Sequence, residues 1–128
     1  MGEGLPERRP ETGWGEFMQE QFDAARVAVS NQAKRGRSTR TFLSEGFWAG
    51  LVANVKEGDY VIIQFGHNDG SIDEEQTPRE EYRANFARFV TDVRGKRGFP
   101  ILATPIVVRA FNGDGSLRDA HGSYPDIV

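Results

Sequence analysis

The stretch Tyr60-Val61-Ile62-Ile63-Gln64-Phe65, followed at once by Gly66-His67-Asn68-Asp69-Gly70, decides the fold. Its first half is an almost continuous apolar run of strand length. Such runs suit a central parallel strand covered on both faces. Its second half is loop-forming, because Gly, Asn and Asp favour turns for backbone reasons. Working forward, Ser71 to Arg79 is polar, and Thr77-Pro78-Arg79-Glu80 reads as a helix start. Thr77 is the expected cap, Pro78 sits at the first helical position and Glu80 at the third. The helix then runs to about Arg97, with Tyr82, Phe86, Phe89, Val90 and Val93 on one stripe and Gly98 to close it. Pro100 to Val107 is a second buried-type strand with Pro105 near its end. Phe111 to Gly122 is a loop rich in Gly and Asp.

Working backward, Lys56-Glu57-Gly58-Asp59 is a turn. Phe42 to Asn54 has helical spacing, with Phe42, Leu43, Phe47 and Leu51 near one side and Ser44 as a candidate cap. Lys34 to Arg40 is a basic loop of small residues. Arg26 to Asn31 is short, β-branched and alternating, and is expected to be a strand. Trp14 to Ala24 is expected to be a helix, and Met1 to Thr12 an irregular lead-in. Strands alternating with helices imply an α/β fold with a three-layer, flavodoxin-like parallel sheet. Ligands in such folds sit beyond the carboxyl ends of the strands. That rule selects the loops Asn31–Arg40, Gly66–Asp73 and Arg109–Tyr124.

With 128 residues the chain allows one small domain. A net charge of -3 argues against a general polyanion binder, so no nucleic-acid partner is expected. No apolar run approaches the roughly 20 residues of a membrane span, and the polar, proline-bearing start does not read as a signal peptide. Nothing marks export, and nothing marks a compartment. The sequence has no cysteine, which excludes disulfides, thiolate metal sites and cysteine nucleophiles. It has two histidines, His67 and His121, too few for a histidine-rich metal site.

Four groups can carry chemistry. Asn68, after a buried strand, can point an amide donor at an oxyanion, with Asp69 to orient a base or hold the loop. The plain alternative is a turn. Gly36 can give its N–H to an anion, or can simply bend a basic loop. His67 and His121 lie in different loops at the expected ligand edge, and each can be a general base or a structural histidine. The acidic run Asp73-Glu74-Glu75 reads as a solvated face.

Taken together, these loops resemble a known family. Gly36-Arg37-Ser38-Thr39-Arg40-Thr41-Phe42 resembles the second conserved block of SGNH (GDSL-type) hydrolases, and Gly66-His67-Asn68-Asp69 the third, G-x-N-D. Gly13-Trp14-Gly15, Glu45-Gly46-Phe47-Trp48, Gly58 to Phe65 and His121-Gly122-Ser123-Tyr124-Pro125 are similar to rhamnogalacturonan acetylesterases. The resemblance implies that the Gly36 N–H and the Asn68 side chain build an oxyanion hole, and that His67, Asp69 and His121 line the substrate side. It implies an acetylated carbohydrate, or another small ester, as substrate, and no metal or organic cofactor.

The family's serine block, a strand followed by Gly-Asp-Ser, would precede Met1, and its terminal Asp-x-x-His block would follow Val128. The resemblance therefore makes residues 1–128 the central portion of an SGNH domain, with the first strand and the C-terminal part missing. Without that strand, Arg26–Asn31 and Tyr60–Phe65 lose the neighbour between them. Unpaired edges favour association, so a homo-oligomer is expected. The functional expectation is a carbohydrate esterase in an incomplete form with weak or no activity. The alternative is a non-catalytic carbohydrate-binding or oligomerising fragment.

Overall fold

The computed structural model describes residues 13–71, 73 and 76–128. The lead-in expected over residues 1–12 and most of the acidic run lie outside the described residues. The described residues up to Gly36 form one unit and Arg37–Val128 another.

In the first unit the expected helix over Trp14 to Ala24 is absent. Two short 3-10 turns, Trp14–Glu16 and Met18–Gln21, take its place. Nor does Arg26 to Asn31 form a strand: it enters no ladder. Its backbone groups find another partner. The Gln19 side chain donates to the Val27 carbonyl at 3.0 Å and accepts from the Val29 N–H at 2.7 Å. A single carboxamide, with a donor and an acceptor, thus stands in for a neighbouring strand.

The second unit is α/β. Its strands, β1 (Tyr60–Gln64) and β2 (Phe99–Ala103), are parallel, with Tyr60 opposite Phe99 and Gln64 opposite Ala103. Between them runs α3 (Arg79–Gly95), the long crossover a parallel pair needs. Tyr82, Phe86, Phe89 and Val93 form its buried stripe and share one core cluster with Val61 and Ile63 of β1. α3 begins one residue later than expected. Pro78 is its cap position, because Thr77 is buried and bonded to Asp69 instead. It ends in a Schellman arrangement. Gly98 N donates to Val93 O at 3.0 Å and Arg97 N to Arg94 O at 2.8 Å, with Arg97 itself at φ +60°. β2 is shorter than the run that suggested it, and Pro105 lies beyond it.

The helix expected over Phe42–Asn54 is two helices, α1 (Thr39–Ser44) and α2 (Phe47–Asn54). Gly46, at φ +82°, separates them. The cap is Ser38, not Ser44. Ser38 Oγ accepts from Thr41 N at 3.2 Å, and Ser38 N donates to Thr41 Oγ1 at 2.9 Å. Arg40 on α1 grips Glu81 on α3 through two bonds of 2.8 and 2.6 Å. Trp48 on α2 is buried against Phe89, with ring centroids 4.1 Å apart, and donates to Asp92 at 2.8 Å.

One expectation about β1 is corrected. It is covered on one face only: Val61 and Ile63 are buried, while Tyr60 and Ile62 are exposed. Among the described residues, β2 is its sole ladder partner. No helix among the described residues is long and apolar enough to cross a membrane.

Candidate active-site loops

β1 delivers the chain into the Gly66 turn. Gly66 has φ +130°, a backbone state that side-chain-bearing residues rarely adopt. A Cβ there would also lie 2.9 Å from Pro105 Cγ. Gly70 N closes the turn onto Gly66 O at 3.1 Å, and Ser71 N bonds Asn68 O at 3.1 Å. His67, Asn68 and Asp69 are carried on this turn.

Asn68 is half-buried, and its Nδ2 donates to the Arg37 carbonyl at 3.2 Å. Arg37 is the residue that follows Gly36. A carboxamide nitrogen has two protons, so one anchors the side chain and the other remains to be offered. Gly36 has φ +68°, and nothing lies within 4 Å of where its Cβ would be. Its backbone conformation, not crowding, favours glycine.

Asp69 is 0% exposed. Its Oδ1 accepts from Thr39 N at 2.8 Å and Thr39 Oγ1 at 2.5 Å, and its Oδ2 accepts from Gly66 N at 3.1 Å. Burial pushes its pKa up. The donors on Thr39, Thr77 and Gly66 pull the other way, and burial wins. The expectation that Asp69 lines the substrate side meets this geometry: both oxygens are committed inside the protein.

The structure brings the two histidines together across the Gly66 and Arg109–Tyr124 loops. Their rings are 4.5 Å apart, edge to face. His121 Nε2 lies 2.8 Å from the Ile106 carbonyl. A carbonyl only accepts, so Nε2 carries the proton. That leaves Nδ1 as an acceptor in the neutral ring, and it is buried with no hydrogen-bond partner. His67 is exposed as a whole residue. Partial loss of solvent and the neighbouring His121 ring nevertheless hold its imidazole below the ordinary range. The His121 loop is tied down by Asp119 Oδ1, which accepts from His121 N at 3.1 Å and Gly122 N at 2.8 Å. Tyr124 OH fastens it to Thr77 O at 2.6 Å.

Ser38, which shares a loop with Gly36, is fully buried and spends its hydroxyl on capping α1. The sequence reading singled out neither Thr39 nor Asn85 for the site, and it took Thr77 only as a helix cap. Ser38 and Thr41, three apart, spell a legible capping pair. Nothing local marks Asn85, which reaches Thr39 Oγ1 from α3 at 3.0 Å. A hollow of about 390 Å³ lies along Arg83, Ala87, Val90 and Leu102, lined by none of these loop residues. No group of three or more potential metal ligands occurs among the described residues.

No family model matches the chain. It is 34% identical over 128 residues to rhamnogalacturonan acetylesterase RhgT of Bacillus subtilis (strain 168), an alignment covering 96% of this chain and 52% of that protein. It is 30% identical over 117 residues to the probable rhamnogalacturonan acetylesterase YesY of the same organism, covering 89% of this chain and 52% of that one. A rhamnogalacturonan acetylesterase of Emericella nidulans is 45% identical over 58 residues, covering 45% of this chain and 22% of the relative. The crystal structure of the YxiM protein of Bacillus subtilis matches with a TM-score of 0.77 and 25% identity, over 90% of this chain and 32% of that one. The chain thus spans about half the length of the two Bacillus acetylesterases.

Proposed function

The chain belongs to the rhamnogalacturonan acetylesterase-like SGNH hydrolases, and on that premise we propose that it is the oxyanion-binding portion of a carbohydrate esterase. The substrate is an acetylated polysaccharide of the rhamnogalacturonan type. In the reaction a serine oxygen bonds to the acetyl carbonyl carbon, and the carbonyl oxygen takes the electron pair. A histidine takes the serine's proton and gives it to the sugar oxygen as the bond from that oxygen to the acetyl carbon breaks and the carbonyl re-forms. Water then attacks the acetyl-serine in the same way, losing its proton to the histidine, which returns it to the serine oxygen as acetate leaves. The Gly36 N–H and the free Asn68 Nδ2 proton donate to the oxygen that becomes negative. His67 and His121 flank the sugar, and Asp69 stands behind the turn. In this reading the serine, the triad acid and the triad base are not among the residues of this chain. The domain is a three-layer α/β sandwich of which β1, β2 and the three helices are the central piece.

The observation that carries the reading is the Asn68 to Arg37 bond, which draws the third-block asparagine to the residue beside the second-block glycine. The burial of Ser38 supports placing the nucleophile elsewhere. The test uses the purified chain. It hydrolyses p-nitrophenyl acetate weakly, and Asn68→Ala lowers that rate by about 10²–10³, the usual cost of one oxyanion donor, or to the blank. Acetylated oligosaccharide binds more tightly than its deacetylated form in a calorimetric titration. Turnover matching a complete esterase and abolished by Ser38→Ala overturns the assignment of roles. Equal affinity for both oligosaccharides overturns the substrate.

The same proposal includes self-association. The exposed Tyr60, Ile62, Phe99 and Ile101 and the second edge of β1 are surfaces that a second copy can cover. Light scattering that finds a monomer at every concentration removes this part.

A further inference from the structure

Asp69 sits at the junction of four segments of the second unit. It is bonded to Thr39 at the start of α1, to Gly66 on its own turn and to the Thr77 side chain before α3. Thr39 in turn is bonded by Asn85 of α3. Thr39, Thr77 and Asp69 are each 0% exposed. The hydrogen bonds have a fixed direction. Thr39 Oγ1 has one proton, which goes to Asp69, so it accepts from Asn85. The backbone N–H groups of Thr39 and Gly66 can only donate. The site therefore demands an atom pair that only accepts, which is a carboxylate and not a carboxamide.

A buried carboxylate is a poor source of stability, since its desolvation offsets much of what its bonds contribute. A fully bonded buried network does something else: it selects one arrangement. Here it pins the turn bearing Asn68 to the turn bearing Arg37, whose carbonyl anchors the Asn68 side chain. The geometry points to Asp69 as a positioning residue that sets the direction of the Asn68 carboxamide through Thr39. This rests on the proposed function only for what Asn68 does to a substrate. The brace itself does not depend on it.

The test reads Asn68 directly, by the side-chain amide resonances of the ¹⁵N-labelled full chain. Asp69→Asn puts a donor against donors, and the Asn68 pair shifts towards the position of an unbonded carboxamide. Phe89→Ala, which loosens the core elsewhere, leaves the Asn68 pair in place when measured in the folded state. Should Asp69→Asn fail to fold, Thr39→Val decides in its stead: it deletes both Oγ1 bonds, to Asp69 and from Asn85, keeps the backbone N–H bond to Asp69, and shifts the same pair, while Thr39→Ser restores it. Asn68 resonances unmoved in folded Asp69→Asn, or in Thr39→Val, overturn the inference. A shifted Asn68 in a chain indifferent to acetyl esters leaves the brace standing and removes the esterase reading.

Discussion

On one face of β1, Val61 and Ile63 are 8% and 3% exposed; on the other, Tyr60 and Ile62 are 70% and 40% exposed, beside Phe99 at 52% and Ile101 at 44%. The residue types are alike, and the strand is the same. Alternate side chains point to opposite faces, so the difference lies in what covers each face. The covered face meets a mesh of aromatic rings. Phe65 lies 5.6 Å from Phe89 and 5.4 Å from Phe42, and Tyr82 lies 4.8 Å from Phe86. The open face has one stacked pair, Tyr60 on Phe99 at 5.0 Å. Hydrophobic character alone contributes little to stability until a second layer removes it from water.

The largest expected effect tests the covered side. Phe89→Ala destabilises the chain by about 3–5 kcal/mol, the usual cost of emptying an aromatic site in a core. Urea denaturation measures it, and a loss no larger than that of an open-face variant breaks the comparison. Next comes Gly66→Ala, at the turn between β1 and the site. Forcing a side chain into a positive-φ position costs of order 1–3 kcal/mol, and the clash with Pro105 adds to it. Gly46→Ala, with positive φ but open space, is the milder partner, and thermal melts of the two side by side sharpen the point. Trp48→Phe keeps most of the ring packing but drops the bond to Asp92, for roughly 1 kcal/mol. Ile101→Thr on the open face falls within about 0.5 kcal/mol in dilute solution. A larger loss at high concentration alone locates a self-association surface there.

The smallest effect is with pH. His67 has its imidazole pKa lowered by lost solvent and by His121. A histidine whose folded value lies below its unfolded one resists protonation in the folded state. Stability therefore falls as pH drops below about 6.5 towards that folded value, and is unaffected above it. Melting midpoints between pH 7.5 and 5 follow this slope, and His67→Gln flattens it. An unchanged slope in that variant assigns the effect to another group.

Much of the second unit was legible because its signals are local. The apolar run at Tyr60–Phe65, the five-residue stripe of α3 and the Pro100 run each carry their period in a short window. Arg26–Asn31 shows the limit. Its alternation suits a strand, but a strand exists only through a ladder, and Gln19 takes up the backbone groups instead. Ser44 shows another. The sequence offers two serines near the start of one helical pattern, and the break at Gly46 and the burial of Ser38 decide which one caps.

In the candidate site, chemistry and proximity separate in the same way. Residue types alone excluded cysteine chemistry and a histidine-rich metal site within these 128 residues, and offered Gly36, His67, Asn68, Asp69 and His121 as candidates at the expected ligand edge. They could not establish which of these face outward. Asp69 and Asn68 are neighbours of similar size, yet one is sealed behind the turn and the other keeps a proton to offer. That division comes from Thr39, Arg37 and Asn85, through bonds that span 30, 31 and 46 positions of the chain. A side chain's hydrogen-bonding capacity is fixed by its own atoms, whereas its partners are chosen by the packing of segments that only the folded chain brings within bonding distance.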